Sequence, residues 1–173
     1  PAERQSGEFD SELIEQACSL RSIVDECMDK TQLQNALSEI FRMVSRANKY
    51  IDETLPWVLA KDESNKPRLS SVLYNLLESI RIISTLLSPF MPATMPKVWE
   101  QIGADINAVS YENAGVFNVL PQNVTVKKGE ALFPRIDTEK EIEELNKLIE
   151  AQMAEAEKKN AKIELAPEIS IDE

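Results

Sequence analysis

"DETLPWVLAKDESNKPRL" (residues 52–69) is the stretch on which the reading of this chain turns. Upstream of it, Leu33, Leu37, Ile40, Val44, Ala47 and Ile51 recur at spacing 4-3-4-3-4, one face of an α-helix. Downstream, Leu69, Leu73, Leu76, Ile80, Ile83 and Leu87 repeat that spacing. Pro56 pushes the residue before it out of right-handed helical backbone, so the first helix must end there. Pro67 suits the first turn of the second. The stretch therefore connects two antiparallel helices, and it carries an indole, Trp57, among charged and polar neighbours. The indole is either a core anchor under the turn or an exposed platform. The residues alone leave both readings open.

Working outward, Asp10 is placed to cap a helix, with Phe9 stapling onto Ile14. Leu13, Ala17, Leu20, Val24 and Cys27 form its apolar face. Thr31 and Gln34 have capping-box spacing for the helix that enters the quoted stretch. The helix that leaves it has a second apolar row, Val72, Leu77, Ile82 and Leu86, and is expected to be the most buried. Pro89 stops it. Pro92 and Pro96 frame a short helix ending near Gly103, in which Trp99, beside Val98 and Ile102, is expected in the core. Residues 104–136 carry Gly115, Gly129, Pro121, Pro134 and the β-prone Val124-Thr125-Val126, and predict an irregular extended arm. Thr138 and Glu141 repeat the capping-box spacing and open a charged helix with a thin stripe, Ile142, Leu145, Ile149 and Met153.

The expectation is an all-α antiparallel helical bundle. A lead-in segment covers 1–9, and the bundle with its irregular arm covers 10–137. A charged C-terminal helix covers 138–159 and a linker 160–173.

Composition narrows the chemistry. With no histidine among 173 residues, triads and His-ligated metals built from this chain are excluded. Cys18 and Cys27 are too few for a disulfide framework and read as small apolar residues in a reducing, cytoplasmic setting. No apolar run approaches the ~20 residues of a membrane span, and no signal peptide, P-loop, GxGxxG or CxxC occurs. Carboxylates abound, but no pair stands out from a solvated face. The net charge of −11 disfavours non-specific binding to polyphosphate. The charge is uneven, however. Residues 45–68 hold five basic and four acidic side chains, so that window stands at +1 and the remainder at −12. On a platform reading, Trp57 would stack an unpaired base, Pro56 would stiffen its approach, and Lys61, Lys66 and Arg68 would touch phosphates.

"ANKYIDETLPWVLAKDE" (47–63) resembles the helix–connection–helix signature of the anticodon-binding domain of bacterial methionyl-tRNA synthetases, A-N-x-Y-x-D/E-x-x-x-P-W-x-x-A-K. "LLSPFMPATMPKVWEQIG" (86–103) is similar to that domain's L-x-P-F-M-P turn and the helix end after it. "GEALFPRID" (129–137) is similar to the arm before its last helix, and "PEISIDE" to the start of a C-terminal tRNA-binding OB-fold extension. The motifs stand in family order over most of the chain.

The resemblance implies that Trp57 stacks on the first anticodon base, the C of CAU, with Pro56 shaping its backbone. Asn48 matches the signature as well, which makes it a candidate RNA contact, although its helical position suggests a structural hydrogen bond instead; for Lys61 the resemblance implies a backbone-phosphate role. The family's Asn/Arg helix, which reads the anticodon edge, has no match before Asp10, and its ATP and methionine motifs have none anywhere. The expectation is thus a fragment without a catalytic site or cofactor of its own, binding tRNA(Met) weakly beside a parent catalytic domain. ATP with Mg, and optionally Zn, would belong to the absent domains. No membrane or DNA partner is expected. The rivals are a helical protein–protein interaction bundle, which would bury Trp57 and expose an apolar patch elsewhere, and the anticodon domain of a related class I synthetase (Ile, Val, Leu, Cys).

Overall fold

The computed structural model describes residues 5–161, with side chains through residue 156. By contact the chain divides into two units, Pro1–Leu132 and Phe133–Glu173. The first contains α1 (Asp10–Asp29), α2 (Leu33–Thr54), α3 (Pro56–Leu59), α4 (Lys66–Leu87) and α5 (Met95–Ile102), with single 3-10 turns at Glu63–Asn65 and Tyr111–Gly115. The second contains α6 (Thr138–Ala161). Among the described residues there is no strand, and Val124-Thr125-Val126 has no regular structure. The all-α expectation holds. The linker expected beyond Ala161 lies outside the described residues.

The helix boundaries follow local chemistry. Pro56 stops α2 after Thr54, and Leu55 takes a left-handed turn between α2 and α3. Pro67 lies in the first turn of α4, where its missing N–H costs nothing. Gly103 ends α5 in the left-handed conformation (φ 67°) that a Cβ disfavours, and a Cβ there would also meet the Thr125 carbonyl oxygen. The capping expectations fail. Thr31 adopts φ 59° and no side chain caps α2, which begins at Leu33. Asp10 lies inside α1 and does not cap it. Thr138 is the first residue of α6, where the Glu141 N–H is taken by the Asp137 carbonyl.

Three long helices, α1, α2 and α4, pack together. The face expected of α1 is the one observed, with Leu13, Ala17, Leu20 and Val24 buried. Helix α2 is rotated from expectation. Its buried row is Ala36, Ile40, Met43, Ala47 and Tyr50, while Leu33 is exposed. Helix α4 is rotated over its first half. Val72, Ile82 and Leu86 are buried, and of the richer apolar stripe Ile83 and Leu87 are buried too, whereas Leu73 and Ile80 are 47% and 37% exposed.

The reason for the α4 rotation is a buried ion pair. Arg81 and Glu78 are both fully buried. Arg81 donates from Nε and Nη2 to Glu78 Oε2 at 3.1 and 2.8 Å. Its remaining N–H groups reach the carbonyls of Ala108, Asn113 and Val116 at 3.0, 3.0 and 2.5 Å. All five guanidinium donors are thereby used. Glu78 Oε1 accepts the Leu120 N–H, and the Tyr74 hydroxyl donates to the Leu120 carbonyl at 2.7 Å. The irregular arm is thus the hydrogen-bonded lid over α4, and the face that binds it must point inward.

Breaking a buried pair from one side strands the other charge. Arg81→Met is expected to cost about 3–5 kcal/mol in urea denaturation and to speed amide exchange in residues 108–120. A loss under about 1 kcal/mol, the scale of a surface pair, would contradict this account of the arm.

Candidate nucleic-acid interface

Trp57 sits on α3, a single turn held at both ends. The Leu55 carbonyl accepts the N–H groups of Val58 (2.8 Å) and Leu59 (3.2 Å), and the Pro56 carbonyl accepts that of Ala60 (2.9 Å). Leu59 packs against the main core and sets the turn's rotation. Trp57 and Val58 consequently face outward, at 52% and 46% exposure. The core-anchor reading of Trp57 is therefore excluded. The other indole behaves as expected of a core residue: Trp99 packs against the main core and donates from Nε1 to Ser84 Oγ at 2.9 Å.

Asp10 governs the frame around this turn. Its carboxylate is buried and accepts two bonds from Arg68 of α4, Nη1 to Oδ2 at 2.6 Å and Nη2 to Oδ1 at 2.7 Å. It also accepts the Tyr50 hydroxyl of α2 at 2.6 Å and the Gly7 N–H at 3.0 Å. Asn75 of α4 in turn donates to Tyr50 Oη at 3.2 Å. Tyr50 precedes the Trp57 segment and Arg68 follows it, so one carboxylate holds both ends. Burial pushes the Asp10 carboxyl up, but the bonds from Arg68, Tyr50 and Gly7 outweigh it and leave Asp10 below the usual carboxylate value. Burial, then the bond to Asp10, pushes the Tyr50 phenol up to about 12.

Four of the window's five cations stand beside carboxylates, Arg46 and Arg68 in buried pairs and Lys49 and Lys66 in exposed ones. Arg46 is buried and paired with Glu53 at 2.9 Å and Glu12 at 3.2 Å. Lys49 lies 3.5 Å from Glu53, and Lys66 is paired with Glu63. Arg68 belongs to Asp10. The expected phosphate contact by Arg68 thus gives way to a structural ion pair across 58 residues of sequence. Lys61 is exposed and, among the described residues, has no ion-pair partner. Asn48 is exposed on α2, and its side chain makes no hydrogen bond among the described residues, contrary to the structural role expected. Sequence reasoning missed the Asp10–Tyr50–Arg68 hub because its members lie on three different helices.

No group of three or more Asp, Glu, Cys or His among the described residues is arranged to hold a metal, and no helix there is long and apolar enough to cross a membrane. An apolar surface is exposed as well, on α4 (Leu73, Ile80) and on α6 (Ile142, Leu145, Ile149, Met153). The two discriminators between RNA reader and interaction bundle are therefore met separately: Trp57 is accessible, and apolar patches exist elsewhere.

Residues 1–154 match the family model for the anticodon binding domain of methionyl tRNA ligase. The chain is 52% identical over 155 residues to the methionine–tRNA ligase of Caldanaerobacter subterraneus subsp. tengcongensis, covering 90% of this chain and 24% of that one. It is 48% identical over 166 residues to the corresponding ligase of Clostridium acetobutylicum, covering 96% and 25%. It thus spans about a quarter of these relatives. Among solved structures, apo Mycobacterium tuberculosis methionyl-tRNA synthetase aligns with TM-score 0.71 and 29% identity, over 79% of this chain and 28% of that one. The same enzyme in complex with methionyl-adenylate aligns with TM-score 0.71 and 30% identity, over 78% and 26%.

Two outcomes test the geometry. Trp57→Ala is expected to change unfolding free energy by less than about 1 kcal/mol, since exposed substitutions cost little. A loss above about 3 kcal/mol, the scale of emptying an aromatic core site, would contradict it. Asp10, with its folded pKa lowered, contributes stability present above its ordinary value of 3.8 and lost as pH falls through the lower folded value. Asp10→Asn is expected to cost about 3 kcal/mol at neutral pH and to flatten the acid limb of the stability profile. An unchanged acid limb would contradict the hub.

Proposed function

The chain belongs to the family of anticodon-binding domains of methionyl-tRNA ligases, and from that premise we propose that it reads the CAU anticodon of tRNA(Met), with Trp57 as the stacking platform. One observation carries the reading: an indole 52% exposed on a turn whose two ends are fixed to the bundle. An exposed aromatic face stacks an unpaired base for about 1–3 kcal/mol, and single-stranded RNA is read by such stacking together with hydrogen bonds to the base edges. Pro56, at the first position of α3, limits the backbone under the indole. Lys61 is exposed and has no ion-pair partner among the described residues, which leaves it available to a phosphate. Asn48 is available to a base edge or the backbone. Lys66 is also exposed, beside Glu63 in a weak surface pair, and remains within reach of a phosphate, and Arg68 acts through Asp10.

In this reading the domain positions tRNA while a separate catalytic part of the ligase attaches methionine. We assign ATP and Mg to that part, and the parent catalytic domain and the anticodon loop as the partners of this one. With both local arginines committed to buried carboxylates, affinity arises from stacking more than from phosphate neutralisation. Non-specific RNA is then disfavoured by the −11 net charge.

The test is a fluorescence titration of Trp57 in a Trp99→Phe background, with a CAU-loop RNA hairpin and one altered at the first anticodon base. Quenching that prefers CAU is expected. The salt dependence should be shallow, a log–log slope near −0.7 for about one neutralised phosphate. Equal quenching by both hairpins would leave a stacking platform that does not discriminate the first anticodon base and would contradict the CAU reading. No quenching by either would favour the interaction-bundle alternative, for which the exposed α4 and α6 faces are the motivating observation.

A further inference from the structure

Leu55 is the backbone anomaly of the Trp57 segment. At φ 46° and ψ 59° it is left-handed, a conformation in which Cβ crowds the following carbonyl and which glycine takes by default. Between Thr31 and Asn118, no other non-glycine residue among those described has positive φ. Its side chain is 41% exposed, so packing alone does not account for the conformation. Its peptide groups do more. The Leu55 N–H closes the last turn of α2 on the Ile51 carbonyl at 3.0 Å, while its carbonyl opens α3 by accepting from Val58 and Leu59. The same residue both ends one helix and starts the next. Pro56 blocks the alternative of running α2 onward, since its ring disfavours right-handed backbone at position 55.

We propose that Leu55 is the positioning residue of the platform: its strained, narrow backbone well fixes the direction of α3 relative to α2 and so holds the Trp57 indole pre-oriented for a base. This rests on the anticodon-reading function proposed above. Strained conformations persist only where the surroundings over-determine them, and they concentrate at ligand clamps. Here the surroundings are explicit. Tyr50 and Arg68 tie the flanking helices to Asp10, and Leu59 ties α3 to the core. Between those anchors, Leu55 is where α2 ends and α3 begins. A glycine would adopt the observed φ and ψ without strain but would also open a broad range of others. The fold would survive, and the indole would wander. A bound base would then have to immobilise the turn itself, a cost that pre-organisation removes.

The experiment compares Leu55→Gly, Leu55→Asn and Trp57→Ala in the whole 173-residue chain. The two Leu55 variants carry Trp99→Phe so that Trp57 alone reports. The measurements are the thermal midpoint, the nanosecond anisotropy decay of Trp57, and affinity for the CAU-loop hairpin. For Leu55→Gly the midpoint is expected to stay within about 4 °C. The amplitude of fast indole motion should rise, and affinity should fall about 2- to 12-fold, the cost of immobilising one side chain. Leu55→Asn, which tolerates the left-handed well but retains a Cβ, should recover most of both. Unchanged indole motion and affinity in Leu55→Gly would overturn the proposal, as would an Asn variant as mobile as the Gly one. If Trp57→Ala binds the hairpin as tightly as the parent, the stacking reading fails, and the anisotropy data alone judge Leu55. If Trp57→Ala weakens binding while Leu55→Gly does not, only the Leu55 proposal fails.

Discussion

Asp10 is a carboxylate with four donors and no water-facing role. Arg68 supplies two of the bonds, Tyr50 one and the Gly7 backbone one, which joins the start of α1, the last turns of α2 and the first turn of α4. A charge this buried is tolerable only when its hydrogen bonds are complete. Because they are, the three long helices are held at one end in a single register, and the connection from α2 to α4 spans two fixed points. Everything exposed on that connection inherits its position from this hub: the indole of Trp57, the exposed ammonium of Lys61 and the outward face of Val58.

A second saturated ion group performs the same task for the arm. Arg81 and Glu78 hold the carbonyls of Ala108, Asn113 and Val116 and both peptide groups of Leu120, the latter with Tyr74. A segment with no regular structure of its own beyond one 3-10 turn thereby gains a defined path. The two clusters divide the labour. Apolar burial along α1, α2 and α4 drives collapse, while the buried polar groups select which faces meet. The rotation of α2 and α4 away from their richest apolar stripes follows from that selection. It leaves Leu73 and Ile80 at the surface.

The sequence made the helices legible, together with the connection that matters. The stops at Pro56 and Pro89, the opening at Pro67 and the left-handed end at Gly103 are all written in local residue chemistry. The rotation of the helices was not legible, because a count of apolar residues assigns every charge to the surface. Arg46, Glu78, Arg81 and Asp10 violate that assumption, and their partners lie up to 58 residues away or are backbone carbonyls with no sequence signature. The same blindness enlarged the basic patch. Lys61, Lys66 and Arg68 read as phosphate contacts, yet Arg68 serves a buried carboxylate and Lys66 stands beside Glu63 at the surface. Trp57 could be located from sequence but not oriented. Its exposure depends on Leu59 turning inward and Leu55 turning left-handed, neither of which local composition announces.

The account makes Trp57 a platform that meets its ligand face-on, and this geometry has a direct spectroscopic readout. A base stacked on an indole shields the ring protons, so the measurement is the proton NMR spectrum of the two tryptophans during titration with the CAU-loop hairpin. The account predicts upfield movement of the Trp57 ring protons, with Trp99, whose Nε1–H stays bonded to Ser84, unmoved. Movement of the Trp99 signals with Trp57 silent would contradict it.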